Sequence, residues 1–143
     1  MSRDEFLGRL TGRWEGRGLV GDTVLHQAVE SRWVLGDHFV EMRFRELDGR
    51  PYEAAYLVGL DDRSARYILI LADSTGVYPN PSAVVGIGQK NGDAVIFSFG
   101  DPTPSFMNRF EWHEADGSWS HVLTSIEPDG RATIFATKHL TRI

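Results

Sequence analysis

Leu10-Thr11-Gly12-Arg13-Trp14-Glu15-Gly16-Arg17-Gly18 is the stretch on which the fold turns. Side chains alternate along a strand with a period of two, so Gly12, Trp14, Gly16 and Gly18 share one face. One indole among three residues without side chains cannot cover a flat sheet. Glycine inside a strand marks a bend, a bulge or a close backbone approach. The pattern therefore predicts a strand that curls sharply, with Trp14 plugging one end of the space it encloses. A small closed β-barrel needs such a strand.

The rest of the chain agrees. Turn pairs able to accept positive φ recur at Gly21-Asp22, Gly36-Asp37, Asp48-Gly49, Asp61-Asp62, Asn91-Gly92, Asp116-Gly117 and Asp129-Gly130. Between them the sequence predicts strands at 13–20, 24–34, 38–47, 52–60, 66–72, 84–89, 94–99, 105–113, 118–127 and 132–141. No crossover helix separates them, so the sheet is expected to be antiparallel and up-and-down. Ser2 to Glu5 has capping-box spacing, with Phe6, Leu7 and Leu10 following on one face of a short N-terminal helix placed to cap a barrel end. At 143 residues the chain is expected to form one domain, an all-β barrel of about ten strands over 1–143.

Alternation assigns faces. Val40, Met42 and Phe44 oppose Glu41, Arg43 and Arg45, while Leu25, Val29 and Trp33 oppose His26, Glu30 and Arg32. If Glu114–Gly117 and Asp129-Gly130 each close a hairpin, Trp112 neighbours Trp119, Phe110 neighbours His121, and Asn108 neighbours Leu123. Across the next pair His121 meets Lys138 and Leu123 meets Ala136. A bulge at Gly117 would slip this register by one residue and reverse the faces. Under it the inner face carries Phe106, Phe110, Trp112, Trp119, Leu123, Ile134 and Leu140, together with the polar Asn108, His121, Ser125 and Lys138. Leu57 and Leu69 are expected to point outward. The segments Asp73–Ala83, with Pro79 and Pro81, and Asp101–Pro104 interrupt the ladder, either as binding loops or as rigid connections.

Composition excludes several functions. The net charge is −5 with no clustered basic run, which argues against nucleic acid as a partner. The chain has no cysteine, so disulfides, thiol catalysis and thiolate metal sites are absent together. No segment has the length and apolarity of a signal peptide or membrane helix, so a cytoplasmic protein with no membrane partner is expected. The five histidines form neither His-x-His nor His-x-x-x-His, giving no support for a zinc site. Nucleophile-elbow, phosphate-loop and dinucleotide motifs are missing, and Asp61, Asp62 and Asp101 sit where turns favour aspartate. No catalytic residue is assigned.

Four Trp, four Tyr and eight Phe can line a cavity or fill a core. Polar groups on an apolar inner face are either bonded to one another or directed at water or a ligand. The expected ligand-binding set is Trp14, Trp33, Met42, Phe44, Tyr56, Asn108, Phe110, Trp119, His121 and Lys138. His121 beside Lys138 would suit an anionic head group; alternatively Lys138 snorkels to the rim and His121 bonds a carbonyl. The partner is thus a small, mostly apolar or weakly acidic molecule, with a homodimer through the outer face as a further partner.

Beyond Gly12-x-Trp14-x-Gly16-x-Gly18, the residues Glu30-Ser31-Arg32-Trp33-Val34-Leu35-Gly36-Asp37-His38-Phe39-Val40, Gly49-Arg50-Pro51-Tyr52-Glu53, Gly59-Leu60-Asp61, Tyr67, Ala72-Asp73-Ser74, Gly76 and Arg142 resemble a bacterial family of uncharacterised calycin-like barrels. That resemblance implies a lipocalin- or fatty-acid-binding-protein-like barrel around a central pocket, with no settled activity. The opening motif alone is similar to nitrobindin-like haem barrels, in which a histidine followed by leucine near the C-terminus ligates iron. His139-Leu140 stands in that place. This second resemblance implies haem held through His139, with nitric oxide carriage or peroxynitrite isomerisation; otherwise no cofactor is expected. A structural or interaction role without a ligand is the remaining alternative.

Overall fold

The computed structural model describes residues 3–76, 84–100 and 104–143. A six-residue helix, α1 (Glu5–Leu10), precedes ten strands: β1 (Gly12–Val20), β2 (Thr23–Val34), β3 (Phe39–Glu46), β4 (Glu53–Asp61), β5 (Arg66–Asp73), β6 (Val85–Asn91), β7 (Ala94–Phe99), β8 (Phe106–His113), β9 (Ser118–Ile126) and β10 (Ala132–Arg142). Each strand pairs antiparallel with its sequence neighbours, and β1 also pairs with β10. The sheet is a closed barrel.

Closure depends on the glycine face of β1. Trp14 pairs with Arg142, Gly16 with Leu140 and Gly18 with Lys138. A Cβ on Gly16 would lie 2.7 Å from Leu140 Cδ2, so Leu140 fills the space that this residue leaves. A Cβ on Gly18 would lie 2.8 Å from the Thr137 carbonyl carbon and 2.9 Å from Lys138 Cα. Backbone cannot yield as a flexible side chain does. A side chain at Gly18 would push the first and last strands apart at the seam.

The helix seals one end. Phe6, Leu7 and Leu10 are buried against Trp14, Val40, Val58, Leu69 and Trp119. Two indoles meet its carboxyl end: Trp14 Nε1–H donates to the Leu10 carbonyl at 3.0 Å, and Trp119 Nε1–H to the Arg9 carbonyl at 3.1 Å. These donors satisfy carbonyls that a helix end leaves without partners. The Arg142 guanidinium stacks over Trp14 at 4.2 Å and donates to the Thr11 carbonyl. The helix starts at Asp4, not Ser2: Asp4 Oδ2 accepts from the Leu7 amide at 3.0 Å, and Tyr67 donates its hydroxyl to the same carboxylate. Ser2 itself lies outside the described residues.

The residue pairs expected in the last three strands are the observed ones, although the β9–β10 ladder reaches them only past a shift of one residue at Phe135. Trp112 pairs with Trp119, Phe110 with His121 and Asn108 with Leu123; His121 pairs with Lys138 and Leu123 with Ala136. Gly117 takes positive φ (67°) without a slip. Three expectations need correction. Ile134 is 62% exposed, because the β9–β10 register shifts between Ile134 and Ala136 and turns Phe135 to the interior instead. Leu69 is fully buried opposite Val58; its neighbour Ile70, paired with Leu57, carries the outer face of β5. In the β4–β5 turn, Asp61 accepts from Arg63 and Ser64, and positive φ falls at Ala65, not at the Asp61-Asp62 pair. Much of the two proline-bearing segments, 77–83 and 101–103, lies outside the described residues.

Gly18→Ala is expected to lower unfolding free energy by about 1–3 kcal/mol, the usual cost of forced overpacking. Gly8→Ala, whose Cβ would meet Trp33 at an ordinary 3.8 Å, is expected to raise it by up to about 1 kcal/mol through helix propensity. Urea unfolding of both variants measures the contrast; equal effects would remove the seam argument.

Candidate ligand cavity and the polar belt beneath it

At the barrel end opposite α1 lies a cavity of about 670 Å³. Its apolar walls are Leu71, Phe106, Leu123 and Phe135, with the rings of Tyr52 and Tyr56. Polar atoms come from Asp73, Thr75, Ser105, Ser125 and the two phenols. The volume falls in the roughly 300–1,000 Å³ range of small-molecule sites. Tyr52 donates its hydroxyl to Asp73 Oδ2 at 3.1 Å, which fixes the carboxylate at the edge of β5. Asp73 is the charged side chain among the described lining residues.

Below the cavity floor a polar belt crosses the lumen. Asn108 Nδ2–H donates to the Tyr56 hydroxyl at 3.3 Å, and Asn108 Oδ1 lies 2.6 Å from His121 Nε2. Because Asn108 Oδ1 can only accept, His121 Nε2 carries the proton and donates. The other ring nitrogen, Nδ1, has no hydrogen-bond partner among the described residues. Placing the proton on Nδ1 would bury an unpaired N–H, so the geometry selects the Nε2–H tautomer. The His121 ring stacks on Phe110 at 4.3 Å between centroids. Burial, then the nearby Lys138 charge, hold its pKa well below that of a free histidine.

Lys138, the ladder partner of His121 on β10, continues the belt. Its Nζ donates to Gln27 Oε1 at 3.2 Å and sits 4.5 Å from the centre of the Phe44 ring. Gln27 in turn donates from Nε2 to Glu46 Oε1 at 2.9 Å. Glu46 Oε2 is buried without a partner among the described residues. Burial outweighs the attraction of Glu46 and lowers the Lys138 pKa to about 7. Removing an ammonium from water costs more than one neutral acceptor and one ring face return.

The ten residues expected to bind a ligand therefore separate by height. Trp14, Trp33, Trp119 and Phe110 lie towards the plugged end or in its packing, where Arg3 stacks over Trp33 and Phe6 meets Trp119 edge-on. Met42 is buried in the core, and Phe44, Asn108, His121 and Lys138 belong to the belt. Tyr56 alone of the ten lines the cavity. Sequence reasoning missed Gln27 and Glu46, although Leu25-x-Gln27-x-Val29 and Phe44-x-Glu46 continue the inner face of their strands. It also missed Tyr52 and Leu71, which alternation with Tyr56 and Leu69 could have found. Phe135 had no such signal, since only the bulge turns it inward.

His139 is exposed on the outer face of β10, its ring 5.9 Å from that of His113. Its alternation with Lys138 directs it away from the lumen, so a haem inside the barrel would not reach it. The inward histidine, His121, is enclosed by Phe44, Phe110 and Tyr56, with no room for a macrocycle at its free nitrogen. The residues present do not fit that group. Among the described residues no cluster of metal-binding side chains occurs, and no helix is long and apolar enough to cross a membrane.

No family model matches the chain, and no curated protein matches it. Among solved structures, the crystal structure of Rv2717c from M. tuberculosis is similar, with a TM-score of 0.63 and 19% identity over 99% of each chain. At that identity the likeness extends to the fold.

Lys138 gives a pH signature. Its folded pKa of about 7 lies below the ordinary 10.5, so between these values the unfolded chain binds the extra proton. Stability must then rise with pH across that window, and the destabilisation is fully present below about 7. Wild-type unfolding free energy measured relative to Lys138→Met is expected to climb between pH 7 and pH 10. A flat difference would mean that Lys138 ionises normally. Nitrogen NMR is expected to find His121 neutral and Nε2-protonated between pH 6 and 8; a ring titrating near 6.5 would contradict its enclosure.

Proposed function

We propose that this chain is a calycin-like binding barrel, acting as one domain without catalysis, whose ligand is a small and mostly apolar molecule. The cavity at the open end carries this reading: apolar walls, a few converging polar atoms and a volume suited to one small molecule. A barrel built only for structure would be expected to close both ends with side chains. Among the described residues, α1 supplies three buried apolar side chains to one end, while the other borders a cavity of about 670 Å³.

N-phenyl-1-naphthylamine, a neutral probe that brightens in apolar surroundings, tests the reading. Wild type is expected to bind it saturably at one site. Leu123→Trp, which places an indole in the cavity, is expected to weaken binding at least tenfold while the far-ultraviolet spectrum keeps its strand signature. No saturable binding, or binding unchanged by Leu123→Trp, would overturn the proposal. Mass spectrometry of small molecules extracted from the purified protein would then identify the natural class.

A second reading, a homodimer through the outer face, is favoured by one observation. Ile70, Val85, Ile87 and Ile96 are each about two-fifths exposed on the adjoining strands β5, β6 and β7. Sedimentation of wild type and Ile87→Lys decides it: a dimer that becomes a monomer supports it, and a wild-type monomer ends it.

A further inference from the structure

We infer that the cavity selects a neutral ligand carrying a hydrogen-bond acceptor, such as a ketone, ester or ether oxygen, which the Tyr56 hydroxyl receives at the cavity floor. The inference rests on the binding reading above and specifies its ligand.

The polarity of the floor follows from the belt. His121 is enclosed and neutral, with its proton on Nε2, so Asn108 Oδ1 is committed as an acceptor. The orientation of the amide is thereby set, and Nδ2–H must point at the Tyr56 hydroxyl oxygen. A phenol has one proton and accepts through its oxygen. With acceptance used by Asn108, its proton is free: Tyr56 donates to no group among the described residues. The ring is held by Phe44 at 4.6 Å and Phe110 at 6.5 Å between centroids, and the residue lines the cavity. Burial also raises the Tyr56 pKa, so the phenol keeps that proton throughout the physiological range. A buried donor without a partner is costly, and an acceptor on the ligand removes the cost.

The rim argues against an anion. Asp73 is fixed there by Tyr52, while Lys138 is held beneath the floor by Gln27 and Phe44 and does not line the cavity. The segments 77–83 and 101–103 contain one aspartate and no lysine or arginine, so they bring no cation. A carboxylate would approach Asp73 without a counter-charge and lose water on entering. A neutral carbonyl or ether meets neither penalty.

Three small naphthalenes test this: 1-acetonaphthone, the near-isosteric hydrocarbon 1-isopropenylnaphthalene, and the anion 1-naphthoate. Wild type is expected to bind the ketone about three- to tenfold more tightly than the hydrocarbon, as one net hydrogen bond allows. Binding should also lower the ketone carbonyl stretching frequency in the infrared, and 1-naphthoate should bind more weakly than the ketone. Tyr56→Phe is expected to bind ketone and hydrocarbon alike, with the carbonyl shift lost. The wild-type pair and the infrared shift decide the matter even if that variant does not fold. Equal binding of ketone and hydrocarbon with no carbonyl shift overturns the inference while leaving a binding cavity. Tighter binding of 1-naphthoate than of the ketone also overturns it. Binding of none of the three removes the cavity reading and this inference together.

Discussion

The close approach of β1 to β10 at Gly18 is the constraint on which the remaining architecture depends. Hydrogen bonding between the first and last strands gives every strand two neighbours and leaves no edge exposed. Once the sheet is closed, every second residue must point into a bounded volume. That volume has two ends and, among the described residues, one short helix to cover them. Trp14, on the same glycine face, ties the helix to one end through its indole N–H. The other end keeps its opening because no comparable element among the described residues packs into it.

The interior is consequently layered. Next to the helix lie large rings packed edge-on, where Phe6, Tyr67, Phe110 and Trp119 meet and their polar atoms, the Tyr67 hydroxyl and the Trp119 indole N–H, are bonded to Asp4 and to the Arg9 carbonyl. The middle layer is polar and almost fully paired: Tyr56–Asn108–His121 in one part, Lys138–Gln27–Glu46 in the other. Buried networks of this kind rigidify when satisfied and are costly when they are not. Two atoms of this belt, His121 Nδ1 and Glu46 Oε2, have no hydrogen-bond partner among the described residues. Burial lowers the Lys138 pKa to about 7 despite the attraction of Glu46. Above the belt the apolar walls resume, so a ligand would meet a floor whose hydrogen-bonding polarity is already set.

Much of this order was legible in the residues. Alternation placed Val40, Met42 and Phe44 inside, and it paired His121 with Lys138 correctly: the turn at Gly117 adds no slip, and past the turn at Gly130 the bulge at Phe135 shifts the ladder by one residue into that pairing. It failed where a local irregularity broke the period, as at Phe135, whose bulge turned Ile134 outward. It also failed by chemical type: Gln27 and Glu46 lie on faces read as apolar, and polarity hid them although their spacing did not. The candidate site suffered most. Inward direction was readable for Trp14, Trp119 and Tyr56 alike, but direction does not state height along the barrel axis.

By itself, then, the sequence determined an antiparallel closed sheet, an N-terminal helix of three buried apolar residues, and the facing of side chains wherever the alternation runs unbroken, though not at Leu69, Ile134 or Phe135. These depend on the period of two and on turn chemistry, which act between chain neighbours, and on a run of glycines legible in one short stretch of β1. Only the tertiary structure decided which end the helix seals, which inward residues pack against it and which border open space. That outcome depends on how ten tilted strands stagger around a common axis, so that residues far apart in the chain come to share one level.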